Sequence, residues 1–363
     1  MRLILHLTLA LGLVLALACA SGAPAPDPDT RIRYYSKRVQ EDPRLYPAYA
    51  LLGEAYLARA RVTHDPGDVA RARAAFEQSM AIQPNGESLA GLTALSGFSH
   101  RFEDALSWGR QAADANREDP HVRALLVEAL LGLGRYGEAR ALLPADGVAP
   151  KDFYTASALG AWMKANGRLD EAAKAFQAAA QFASKESVKP LVVWARVSEA
   201  AVWLDTGDLA RARPLLEAVH REAPGDRFLR EHEAELAQKE GRLEESLALY
   251  EELIRSGGSP EAHRAAASLA RRLGRTEEAR RHFEAAERFY RRILDAGEIY
   301  SLESLARLYL DAGVNLEEAK ALARRNLEFK RDRSAVGLAR DLSVPVPEGK
   351  ANPAGASPSH AVE

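Results

Sequence analysis

A small residue recurs along this chain at a period that no single globular core requires. It stands at Ala72, Ala105, Ala139, Ala172, Ala212, Ala279 and Ala319, with Ser246 in the slot between Ala212 and Ala279, and the steps are 33, 34, 33, 40, 34, 33 and 40 residues. A glycine precedes it at constant spacing at Gly134, Gly167, Gly207, Gly241 and Gly274, and with one residue inserted at Gly313. Self-similarity at this period means one supersecondary unit repeated and stacked, each copy burying its apolar face on its neighbours.

Residues 153–180 display the unit most completely. Gly160, Ala172 and Ala179 are small where two helices must approach, while Leu159, Met163 and Phe176 fill the space between them. Gly167 ends the first helix, where the left-handed conformation is cheapest for glycine. Asp170 and Glu171 open the second, where negative charge suits the free amide groups. The two 40-residue steps predict longer second helices over residues 174–188 and 280–295, and about seven extra residues around 63–68 lengthen the first turn. Thr93 and Val127 occupy slots where glycine is expected.

These residues and their spacing resemble the tetratricopeptide repeat. The resemblance implies an all-α, right-handed solenoid of helix–turn–helix units, about eight of them within residues 31–342. Ahead of the first full unit, residues 31–40 read as the second helix of a partial one, and a helix from Arg333 to Leu342 is expected to cap the array. Residues 343–363, with four prolines and little apolar content, are expected to be disordered.

The N-terminus reads as a targeting segment over residues 1–18. Arg2 precedes an apolar run over residues 3–17, interrupted by His6 and Thr8 and too short to span a membrane comfortably. Ala18-Cys19 follows, then a tether over residues 19–30 with Pro24, Pro26 and Pro28. This resembles a bacterial lipoprotein signal, with Cys19 as the lipid attachment residue and Ala16 where leucine is commonest. Cys19 is the sole cysteine, so an intrachain disulfide is excluded. Ordinary cleavage at the small-x-small series Ala18-Cys19-Ala20, and an uncleaved anchor, are the alternatives. The implied address is the cell envelope, the outer membrane facing the periplasm, with soluble periplasmic or secreted protein as the other reading.

Composition narrows function by exclusion. Net charge is −2 and only ten of the 49 basic residues are lysine, so no global field favours nucleic acid. The local basic stretch, residues 261–292 with nine arginines and five glutamates, interleaves its charges as paired helix surfaces do. Gly132-Leu133-Gly134-Arg135-Tyr136-Gly137 matches a dinucleotide fingerprint but lacks the strand that must feed it. His232-Glu233 starts a zinc-protease pattern that fails at Leu236. Trp108, Trp162, Trp194 and Trp203 fall at helical spacing and read as packing or groove lining. No catalytic motif, cofactor or metal site is expected, so the chain is read as non-enzymatic.

Stacked first helices in this family line a concave groove for partner peptides or helices. Register carries that role to Glu128, Tyr154, Lys164, Trp194, Asp205, Phe228, Glu231, Glu235, Lys239, Arg264, Arg271 and Arg272. The lysine–asparagine clamp of some cytosolic members is missing, since Glu231, Arg264, Glu235 and Ser268 hold its slots. Glu231 and Glu235 are expected to pair with Arg264, Arg271 and Arg272 across the unit boundary; the alternative leaves Arg271 and Arg272 free for an acidic partner. The functional expectation is an interaction scaffold for a membrane or secretion complex, with a glycan-binding or regulatory subunit of a cell-wall enzyme as the alternative.

Overall fold

A computed structural model describes residues 27–346, apart from 64, 117, 258, 296–298 and 300. Cys19, the targeting segment and residues 347–363 lie outside the described residues.

The described residues form eighteen α-helices and no strand. They are α1 (Pro28–Glu41), α2 (Tyr46–Thr63), α3 (Pro66–Ile82), α4 (Gly86–Phe98), α5 (Phe102–Ala115), α6 (Pro120–Gly132), α7 (Tyr136–Ala141), α8 (Phe153–Ala165) and α9 (Leu169–Lys185). There follow α10 (Lys189–Thr206), α11 (Leu209–Glu222), α12 (Arg227–Lys239), α13 (Leu243–Arg255), α14 (Pro260–Arg272), α15 (Thr276–Asp295), α16 (Ser301–Ala312), α17 (Leu316–Phe329) and α18 (Arg333–Asp341). Pairs run from α2 with α3 to α16 with α17, each stacked on the next, while α1 packs on α2 and α18 on α17. The chain is thus an all-α solenoid. Its longest helix is α15, in the second-helix stretch where the spacing asked for extra length.

The periodic residues do the work expected of them. Ala72, Ala139, Ala172, Ala212, Ser246 and Ala319 are fully buried and Ala105 nearly so, while Ala279 is half-buried. Ser246 keeps its hydroxyl satisfied by donating to the Ala234 carbonyl at 2.7 Å. All six turn glycines have φ between +70° and +79°. Thr93 and Val127 are buried, and Thr93 donates its hydroxyl to the Leu89 carbonyl at 2.7 Å. A Cβ on Gly160 would meet the Phe176 ring at 2.9 Å, the small-against-large contact read from the sequence.

Helix entry follows two rules. First helices are capped by short polar side chains: Asn85, Asp119, Asp152, Asp226 and Ser259 each accept from backbone amides of the first turn. Four of the six second helices after a glycine turn are entered through arginine paired with an acid three residues on, as in Arg135 with Glu138 at 2.6 Å and Arg168 with Glu171 at 2.5 Å, whereas Asp208 caps the helix after Gly207.

Two boundaries differ from the sequence reading. Helix α1 begins at Pro28, inside the stretch assigned to the tether, because Asp27 caps the Thr30 amide and Pro28 supplies a favourable first position. Ser343–Val346 do not join a loose tail at their start: Val344 is buried and Val346 packs on the α16–α18 cluster. Helix α7 is cut to six residues, with Pro144 just beyond its end.

The solenoid returns on itself. A Cβ on Gly257 would stand 1.7 Å from the Thr63 carbonyl oxygen, and one on Gly134 1.8 Å from the Phe329 carbonyl oxygen. Units far apart in sequence therefore touch backbone to backbone. Between them His100, Phe102 and Gly132 on one side and Glu303, Asn326 and Lys330 on the other bound a cavity of about 220 Å³. The first helices consequently face a bounded interior rather than an open trough.

Candidate partner-binding groove

The interior is recognised by side chains that keep solvent contact yet have protein on most sides. Glu128 on α6 is exposed, but the surrounding mass pushes its carboxyl above the usual carboxylate range, with Arg61 opposing the shift. Glu54 and Arg61 on α2 share the condition, desolvation raising the acid and lowering the base. Arg61 lies close enough to sense both Glu54 and Glu128, so α2 and α6 face one another across the interior.

The other groove residues fall into three groups. Tyr154 stacks on His121 at 4.7 Å between ring centres, and burial raises its hydroxyl. Trp194 is 37% exposed and meets Phe153 and Phe176 edge-on at 5.9 and 5.8 Å, so one edge packs while the other faces solvent. Phe228 is half-buried against His232 at 4.6 Å. These make an aromatic band along α8, α10 and α12.

The second group is held by ion pairs. Lys164 on α8 meets Asp205 on α10 at 3.1 Å. Glu231 pairs with Arg227 at 3.4 Å and Glu235 with Lys239 at 3.4 Å, each within α12. Arg264 on α14 donates to Asp311 on α16 at 3.0 Å. The expected pairing of Glu231 and Glu235 with arginines of the next unit is thus replaced: the glutamates find nearer bases one helical turn away, and Arg264 turns toward the following unit instead.

The third group is free. Arg271 and Arg272 are exposed and make no ion pair among the described residues. Arg271 lines a cleft of about 330 Å³ with Arg264, Ser268, Phe283, Leu308 and Asp311. The cleft offers an apolar floor with guanidinium groups at its rim, a combination suited to an acidic segment carrying an apolar side chain.

Asp311, Glu54 and Arg61 were not among the residues selected by register. Asp311 stands two residues before Gly313, the slot of Asp205 before Gly207 and of Lys239 before Gly241, so the same register held the signal. Glu54 follows Gly53 as Glu128 follows Val127, so the register held that signal too.

Sequence models of the tetratricopeptide repeat match residues 99–161, 164–227 and 233–298. Comparison with curated protein sequences returns no match. The crystal structure of the APC/C hetero-tetramer Cut9–Hcn1 aligns over 86% of this chain and 58% of that chain, at 13% identity and a TM-score of 0.55. The human IFIT1 dimer with PPP-AAAA aligns over 78% of this chain and 72% of that one, at 17% identity and a TM-score of 0.53. At these identities the likeness is one of fold.

Proposed function

We propose, from the premise that this chain belongs to the tetratricopeptide repeat family, that it is a non-enzymatic interaction scaffold holding an extended acidic segment of a partner protein. The observation that carries this reading is Arg271, unpaired at an apolar cleft and followed in sequence by the equally unpaired Arg272, in a solenoid where most other inward charges are neutralised. Repeat solenoids bind through such extended inner surfaces. The scaffold is anchored to the cell envelope by lipid on Cys19, at the outer membrane facing the periplasm, where it serves assembly of a membrane or secretion complex.

Crosslinking in intact cells, followed by mass spectrometry of captured proteins, tests the scaffold role. The double variant Arg271→Glu, Arg272→Glu is expected to keep the wild-type melting curve, since solvated helix faces tolerate substitution within about 0.5 kcal/mol per site. It is expected to lose the principal partner. Unchanged capture removes the cleft from the reading, and retention of the protein on isolated peptidoglycan in place of a protein partner favours a cell-wall role.

The anchor is tested separately. Stable attachment takes two membrane signals, such as dual acylation. Cys19→Ser is therefore expected to move the protein from the membrane to the soluble fraction or to arrest its processing. A wild-type protein that washes off membranes in high salt is inconsistent with the anchor.

A further inference from the structure

Outside the groove, α13, α14 and α15 bring together side chains that no part of the scaffold role requires. Glu278 and His282 lie four residues apart on α15 and so share a face. Glu251 reaches them from α13, and potential ligand atoms of the three lie within 4.8 Å of one another. The Nδ1 of His263 on α14 stands 3.0 Å from the Nδ1 of His282.

We propose that Glu251, Glu278 and His282 bind a zinc ion that ties two consecutive units together, with His263 as a positioning residue. Two carboxylates in contact must share a proton or a cation, since neither oxygen donates when both are ionised. Glu251 and Glu278 bring carboxylate oxygens within 4.8 Å of each other from successive units, which sets up that conflict. A divalent ion between them removes it. Two carboxylates and one imidazole suit zinc, and ligand atoms on a tetrahedral zinc stand roughly 3.3 Å apart, so the cluster contracts by at most about 1.5 Å on binding.

The histidine pair supports the assignment independently of the acids. Both imidazoles are half-buried, and their ring centres lie 5.3 Å apart. Donation of the His282 Nδ1 proton to His263 leaves the His282 Nε2 lone pair for the metal, the usual way a neighbour fixes a ligand's tautomer. Cations also face the cluster. Arg275 lies 3.6 Å from Glu278, Arg255 and Arg275 act on Glu251, Arg281 on His282 and Arg288 on His263. Their charge weakens cation binding.

Calorimetric titration of the chelator-treated full chain with Zn²⁺ decides the matter, with melting followed in parallel. One site is expected, with a melting temperature that rises with Zn²⁺ because the ion binds the folded state. His282→Ala and Glu278→Gln should each weaken binding about 100-fold or more, and His263→Ala by about 10–100-fold, the range for groups that orient a ligand. Arg275→Ala should tighten it by removing a competing charge. No Zn²⁺ binding by the wild type, or equal affinity in the wild type and His282→Ala, overturns the proposal. Should His282→Ala lose helicity, Glu278→Gln decides by the same criterion.

Discussion

Phe76→Ala is expected to lower stability by about 3–5 kcal/mol, the range for removing a fully buried ring from a core. The ring has no exposed surface and is clasped between two glycines: a Cβ on Gly53 would stand 2.7 Å from it and one on Gly91 2.3 Å. Leu57, Ala72, Leu92 and Leu95 complete its cluster, so Phe76 joins the pair α2–α3 to the next unit. Backbones held apart by a ring cannot close the void by small side-chain shifts, which places the cost at the upper part of the range. Urea unfolding followed by circular dichroism measures it. Because each unit touches mainly its neighbours, loss should begin in residues 28–115, readable by hydrogen exchange. A change under about 1 kcal/mol would mean that the ring is not the seam between these units.

Asp68→Ala carries the second largest effect. Asp68 is 1% exposed and accepts from Arg59 at 2.7 Å through both Nε and Nη2, and from Arg71 at 2.6 and 3.1 Å. Arg59 also reaches Asp29 on α1 at 2.5 Å, so one guanidinium ties α1, α2 and α3 together. Asp68 is shielded by its arginines rather than by depth in the protein. Both arginines keep solvent contact, so the expected loss is about 2 kcal/mol, below the ~3–5 kcal/mol of a fully buried pair that loses a partner.

The pH dependence has a definite sign. Hydrogen bonds from Arg59, aided by Arg71, hold the Asp68 carboxyl below its ordinary range. A carboxylate lowered on folding contributes stability that is fully present above the unfolded value near ~3.9 and is lost as pH falls through the lower folded value. Wild type and Asp68→Ala should therefore differ most at neutral pH and converge as pH falls through the lowered Asp68 value. A constant difference across that range would show that the side chain acts by packing instead.

The chain itself determined the unit, its count and its turns. Gly134, Gly167, Gly207, Gly241, Gly274 and Gly313 adopt positive φ, and the small residues five or six places later are buried apart from the half-buried Ala279, because each is fixed by contacts within one helix pair. Gly160 against Phe176 is legible for the same reason. Inward positions were legible as slots, and several of them come together as Lys164 and Asp205 do.

Partnerships between units were decided only by the tertiary structure. Whether Glu231 meets Arg264 or Arg227 depends on the rotation from one pair to the next, which no local pattern encodes. That rotation accumulates until Thr63 lies against Gly257 and Phe329 against Gly134, turning a groove into a bounded interior. The meeting of Glu251, Glu278, His282 and His263 has the same origin: three helices supply them, and their sequence spacing matches no metal motif. Contacts inside one unit follow from the spacing of residues along the chain, while contacts between units follow from small angles summed over many copies.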